Sequence, residues 1–239
     1  MSDYMNTLLF TVYPYIALAV MIIGSIVRYD REPYTWKSGS SQLLRRKQLM
    51  WGSVLFHIGI IFLFFGHFFG LLTPHWLYHH VITAETKQML AIVAGAIAGV
   101  VCFIGLSLLL HRRLFDPRIW VTSTFADVAV LVVMWVQLAL GLITVPYSLA
   151  HEDASIMLRL SEWAQRILTF QVDGTADLVA GLPFPYQAHL ILGLTIFLLF
   201  PFSRLVHILS APVRYLWRPG YQVVRGRERP AAAIRNPAE

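Results

Sequence analysis

Charge is scarce in this 239-residue sequence: only 13% of its residues are charged, while 57% are hydrophobic. Soluble domains carry about 25% charged residues, so the composition excludes an ordinary soluble domain and points to a membrane protein. Cysteine is scarcer still. Cys102 stands alone, which excludes an internal disulfide, a four-cysteine iron–sulfur site and a C-x-x-C-H cofactor attachment. It falls inside an apolar run and reads as a small packing residue. Carboxylates are missing from the depth of the apolar runs, with Asp127 only at the edge of one. That lack, and the absence of a broken inverted repeat, argues against a proton-relay transporter. The opening stretch MSDYMNTLLF has no basic region, and no small-residue cleavage site follows it, so the first apolar run reads as a retained helix.

What is present is length in apolar runs. Crossing about 30 Å of hydrocarbon takes roughly 20 residues of helix. Five stretches qualify, at about 7–27, 50–72, 89–110, 125–146 and 186–209. None shows the alternation of a barrel strand, so the expected fold is an all-α integral membrane bundle of five transmembrane helices. Sixteen of the 19 lysines and arginines lie between helices one and two, between helices three and four, or from Arg204 onward. By the positive-inside rule the N-terminus is outside and the C-terminus cytoplasmic. The net charge of +6 therefore reports topology, not a nucleic-acid surface. Between Pro146 and Pro185, the residues Ile156, Met157, Leu160, Trp163, Ala164, Ile167 and Leu168 recur at helical spacing. This predicts an amphipathic helix at about 151–170, lying on the outer surface or capping the bundle. Residues 1–217 read as one membrane domain, and 218–239 as a flexible basic cytoplasmic tail.

Four histidines interrupt the apolar runs. His57 and His67 lie in helix two; His189 and His207 lie in helix five. Buried ionisable groups in a lipid-spanning helix are costly and demand partners; an ordinary interhelical hydrogen bond is the plain alternative. The step from His189 to His207 is five full turns, so both face one direction across roughly 27 Å. The step from His57 to His67 covers about 15 Å and roughly 80° of azimuth. Helices two and five run antiparallel in the expected topology, which pairs His57 with His207 toward the cytoplasm and His67 with His189 toward the outside. The two spacings differ by about 12 Å, a mismatch for tilt or a kink at Pro201 to absorb. Each pair is short of ligands for bare zinc. A bis-histidine haem, held without covalent links, fits better. Gly59, Gly66 and Gly193 would let a flat macrocycle approach the backbone, although close helix packing explains glycines equally well. A haem-free anchor would need no stacked histidines.

A series of motifs, in order, carries a family resemblance: VYPYIA (12–17), RYD (28–30), YTW (34–36), LFHIGI (55–60), GHFFG (66–70), LTPHW (72–76), HRRLFDPR (111–118), HLILG (189–193) and FPFSRLVHI (200–208). The sequence resembles the gamma subunit of respiratory nitrate reductases, the di-haem cytochrome b that oxidises membrane quinol. The outer loop around 151–186 and the long basic tail depart from the pattern. The resemblance implies two haem b, with His57 and His207 as axial ligands of the inner one and His67 and His189 of the outer one. It places quinol near the outer haem, with Lys87 as its cation or hydrogen-bond donor and Gly66 leaving room for the ring. From spacing alone Lys87 is an interfacial lysine snorkelling to the headgroups. The implied partners are an iron–sulfur beta subunit and a molybdenum-containing alpha subunit, besides quinol and membrane lipid. A related di-haem cytochrome serving a sulfite- or heterodisulfide-linked reductase is the nearest rival. His75, His79 and His80 read as interfacial residues without an assigned role.

Overall fold

The computed structural model describes residues 3–36, 44, 46–150 and 153–210. The expected tail 218–239, the end of the 1–217 domain, and Lys37, Arg45 and Arg214 lie outside them. Five helices are long and apolar enough to cross a membrane: Asp3–Arg31, Arg46–Leu72, Ala84–Phe115, Phe125–Leu149 and Phe184–Phe202. There is no strand among the described residues. The chain is an all-α, multi-pass membrane protein.

The span starts follow from local chemistry. Thr83 caps the third span by accepting from the Thr86 amide. Thr124 and Asp127 close a reciprocal capping box at the fourth, satisfying two orphan amides at once. Pro183 precedes the fifth, where Pro185 occupies a first-turn position that needs no amide. The first span is interrupted by a π turn at Leu8–Val12. There the carbonyl of Phe10 accepts from the Trp163 indole at 2.8 Å.

The spans pack in the order second, third, fourth, fifth, first. This makes an open arc, with no packed seam between the second and fifth spans among the described residues. The second and third meet closely. A Cβ at Gly59 would lie 2.5 Å from Cys102 Cβ, and one at Gly105 would run into the Phe56 amide. Cys102 is fully buried there, as its packing role requires. Gly59 therefore serves close helix contact and not the approach of a flat ring.

The predicted amphipathic helix forms at Ser155–Leu168, and it caps the bundle. Ile156, Trp163, Ala164 and Ile167 share a core with Phe10, Ala17, Val179 and Tyr186. Its polar side reaches the end of the second span: Ser161 Oγ donates to the Gly70 carbonyl and Gln165 Nε2 to the Leu71 carbonyl, at 3.3 and 2.9 Å. The cap thus ties the first span to the second across the mouth of the arc. We call this end the cap end, and the other, where Arg28, Arg112, Arg113 and Arg204 gather, the arginine end.

The fifth span departs from the sequence expectation. The regular helix stops at Leu199, tightens to a 3₁₀ turn at Phe200–Phe202, and is extended at Ser203 before a second 3₁₀ segment, Arg204–Ser210. His207 is therefore not on one continuous helix with His189. Pro201 cannot donate an amide and starts the break. Its ring seats on Gly24 of the first span, where a Cβ would lie 2.8 Å from Pro201 Cγ.

Candidate functional site

The four histidines meet across the gap of the arc in the pairs that spacing predicts. His57 and His207 have ring centres 6.4 Å apart at the arginine end; His67 and His189 are 6.2 Å apart toward the cap end. The change of direction at Pro201 absorbs the mismatch that two straight helices would leave.

Each ring is oriented through the same nitrogen. Nδ1 of His57 lies 2.7 Å from the Ser53 carbonyl, and that of His67 2.7 Å from the Leu63 carbonyl. Nδ1 of His189 lies 3.1 Å from the Gln137 carbonyl, and that of His207 2.6 Å from the Arg204 carbonyl. A carbonyl only accepts, so each Nδ1 is the protonated, donating nitrogen. In the neutral imidazole, an Nδ1–H donated in this way leaves the Nε2 lone pair as the one that can bind a metal.

The pairs fit a haem iron. Two nitrogens on opposite sides of one metal, at about 2.0–2.1 Å each, place imidazole centres roughly 6 Å apart. No group of three or more His, Cys, Asp or Glu side chains converges among the described residues. A bare cation would find only two ligands at either pair, whereas a porphyrin brings its own four. The second span that carries two of these histidines has only 6% of its most apolar stretch buried. His57 and His67 are themselves exposed on that span.

Lys87 sits in the first turn of the third span at the cap end. Its Nζ is buried, has no hydrogen-bond partner among the described residues, and lies 3.9 Å above the Tyr78 ring. The aromatic face stabilises the ammonium without accepting its N–H groups as an oxygen would. Burial pushes the Tyr78 phenol above its ordinary pKa, and the charge of Glu85 adds to that; Tyr78 stays neutral beneath the cation. At Gly66 a Cβ would meet nothing within 4 Å. A side chain there would enter open space, which neither supports nor opposes the expected role.

Residues 6–227 match the family described as Nitrate reductase gamma subunit. The chain belongs to this family. It is 52% identical over 225 residues to the "Respiratory nitrate reductase 1 gamma chain" of Escherichia coli (strain K12), covering 94% of this chain and 99% of that one. It is 46% identical to the "Respiratory nitrate reductase 2 gamma chain" of the same strain, over 95% and 100% of the two chains. The "Nitrate reductase gamma chain" of Bacillus subtilis (strain 168) is 35% identical, over 92% and 98%. The chain is thus a membrane component of a respiratory oxidoreductase complex with other subunits.

The gamma subunit also holds site residues that sequence reasoning missed. Arg28 donates through Nη1 to the carbonyls of Pro201 and Ser203, at 2.7 and 2.8 Å. These are acceptors that the helix break leaves near His207. Asp127 accepts from Nε of Arg204 at 2.9 Å and from Nη1 of Arg113 at 3.3 Å, fixing the residue whose carbonyl orients His207. Gly193, expected to face a macrocycle, instead makes room for a side chain: a Cβ there would lie 3.1 Å from Gln137 Nε2. Gly141 likewise faces the His189 ring. Gln137 stands out in VVMWVQLALG as the one polar side chain, and that was the available signal.

Proposed function

We propose that this gamma subunit is the membrane cytochrome b of a respiratory nitrate reductase, and that side chains of its second and fifth spans would hold two b haems. His57 and His207 would hold the haem at the arginine end, and His67 and His189 would hold the haem toward the cap end. Quinol is oxidised at the cap end, which faces outward from the cytoplasmic membrane. Its two protons leave outside, and its two electrons pass inward to an iron–sulfur beta subunit. A molybdenum-bearing alpha subunit then reduces nitrate to nitrite, a two-electron step that matches one quinol.

The observation that carries this reading is the pair of imidazole pairs, each with ring centres just over 6 Å apart and every Nδ1 on a carbonyl. Bound haem supplies a one-electron carrier at each pair, which is what couples a two-electron donor to one-electron acceptors. The protein's own work is placement. The second span presents two ligands on one side, and the broken fifth span brings two more to the same depths. Lys87 offers an N–H donor to a quinol oxygen at the cap end, where a leaving proton has the shortest path to water. At the arginine end, Arg28 bonds the Pro201 and Ser203 carbonyls and Arg113 bonds Asp127, which holds Arg204, so these two arginines brace the ligand turn, while Arg112 bonds the Leu44 carbonyl.

Pyridine haemochrome analysis of the purified chain, with a reduced-minus-oxidised spectrum, tests the reading. Two b haems per chain are expected. His67→Ala or His189→Ala should leave one haem and abolish quinol oxidation, whereas His57→Ala or His207→Ala should remove the other. Full occupancy in any of these variants, or no haem in a folded wild-type preparation, overturns the assignment.

A further inference from the structure

Three of the four site histidines are tied to their own chain segment. Nδ1 of His57 and of His67 bonds to a carbonyl four residues earlier, and Nδ1 of His207 to one three residues earlier. His189 is different. Its Nδ1 reaches across to the fourth span, donating to the backbone carbonyl of Gln137 at 3.1 Å.

The same glutamine returns the contact with its side chain. Gln137 Nε2 donates to the backbone carbonyl of His189 at 3.0 Å, and it lies 3.5 Å from Nε2 of the imidazole. One residue therefore holds both the ring and the backbone of one histidine. Two glycines make the fit possible. A Cβ at Gly141 would lie 2.9 Å from His189 Cε1, and a Cβ at Gly193 would lie 3.1 Å from the Gln137 amide nitrogen. Gly141 is one helical turn from Gln137, so both face the fifth span. Gln137 Oε1 is buried without a hydrogen-bond partner among the described residues. An apolar residue of the same size would avoid that cost, so the amide is kept for what its nitrogen does.

We propose that Gln137 is a positioning residue for His189, an interhelical clamp that sets the ring's orientation and the electron density on its metal-binding nitrogen. The inference rests on the two-haem reading above. An Nδ1–H bonded to a carbonyl makes the opposite nitrogen a stronger donor and favours the oxidised metal. Without the side-chain clamp, the two spans lose the bond that holds this register, and the Nδ1–H···O=C contact loosens. The midpoint of the haem at His67/His189 then rises, while the haem at His57/His207 does not change. The second haem is a control built into the same chain.

The test is an optical redox titration of the intact complex in membranes, with electron paramagnetic resonance of the two oxidised low-spin haems. The variants are Gln137→Met, which keeps the volume and removes the amide, and Gln137→Leu, which removes both polar atoms of the side chain without adding a charge. The expected result is an upward shift of one component and an altered low-spin signal for that haem alone; selective loss of that haem also supports the clamp. Unchanged midpoints and signals in both variants overturn it. So does a joint shift or joint loss of both haems, which is what a general packing defect produces. A wild-type complex with fewer than two haems in its gamma subunit would instead overturn the underlying reading.

Discussion

Adding one carbon at Gly141 would place a Cβ 2.9 Å from Cε1 of His189, closer than two carbons can sit. Gly141→Ala must push the ring or the fourth span aside, at a cost of about 1–3 kcal/mol. The expected outcome is reduced haem at His67/His189 with the other haem retained, read from the haem-to-protein ratio. At the same scale, Lys87→Ala should weaken quinol turnover with both haems in place. A charge-assisted hydrogen bond is worth about 1.5–3 kcal/mol, so kcat/KM for quinol should fall roughly tenfold to a hundredfold; unchanged kinetics would make Lys87 an ordinary interfacial lysine. The sequence made the four histidines legible because imidazoles stand out against apolar neighbours. It could not sort the glycines. Gly59 faces Cys102, Gly193 faces Gln137 and Gly66 faces open space, and which neighbour a glycine meets depends on tertiary packing that a helical period does not contain.

The broken fifth span decides the site at the level of elements. Its apolar run continues through Pro201 to His207, so composition alone reads as one helix. The turn is hidden because it is buried: Phe200, Leu205 and Val206 form a core with Val130, and buried turns need apolar residues just as helices do. The turn satisfies the Phe200 carbonyl through Ser203, whereas the carbonyls of Pro201 and Ser203 accept from Arg28 of the first span. Arg28 also donates to Thr35, which links the turn to the loop after that span. Arg28→Ala should strand these acceptors at about 1–3 kcal/mol each where burial is complete. The expected outcome is a loss or broadened titration of the His57/His207 haem, with the His67/His189 haem unchanged. Arg28→Lys should restore only part of the effect, because one ammonium can serve the two carbonyls that Nη1 holds but not also Thr35, which takes Nε and Nη2. An unaltered titration in Arg28→Ala would show that the turn holds its shape without the guanidinium.

For the whole molecule, the number of spans, the antiparallel relation of the second and fifth, and the pairing of histidines were all legible, because each follows from hydrophobic length, charge asymmetry and helical period. The order of packing was not, since five similar apolar helices can be arranged in many ways. Close contacts at Gly59 and Gly105, and the cap that ties Phe10 to Trp163, select the arc. Orientation in the membrane has physical consequences that geometry leaves open: the same two haem sites would serve a bundle inserted either way, but only one insertion releases protons outside. The positive-inside rule gives the expectation that the cap end lies outside. Glu162 on the cap helix and Asp30 at the arginine end both have exposed side chains, and Cys102 is buried, so single substitutions can report the two sides. In intact cells or right-side-out vesicles, Glu162→Cys should react with a membrane-impermeant maleimide, and Asp30→Cys should react only after permeabilisation. The reverse labelling would leave the histidine pairs intact as haem sites. It would place Lys87 and quinol oxidation on the inner face, where released protons could not contribute to a membrane potential.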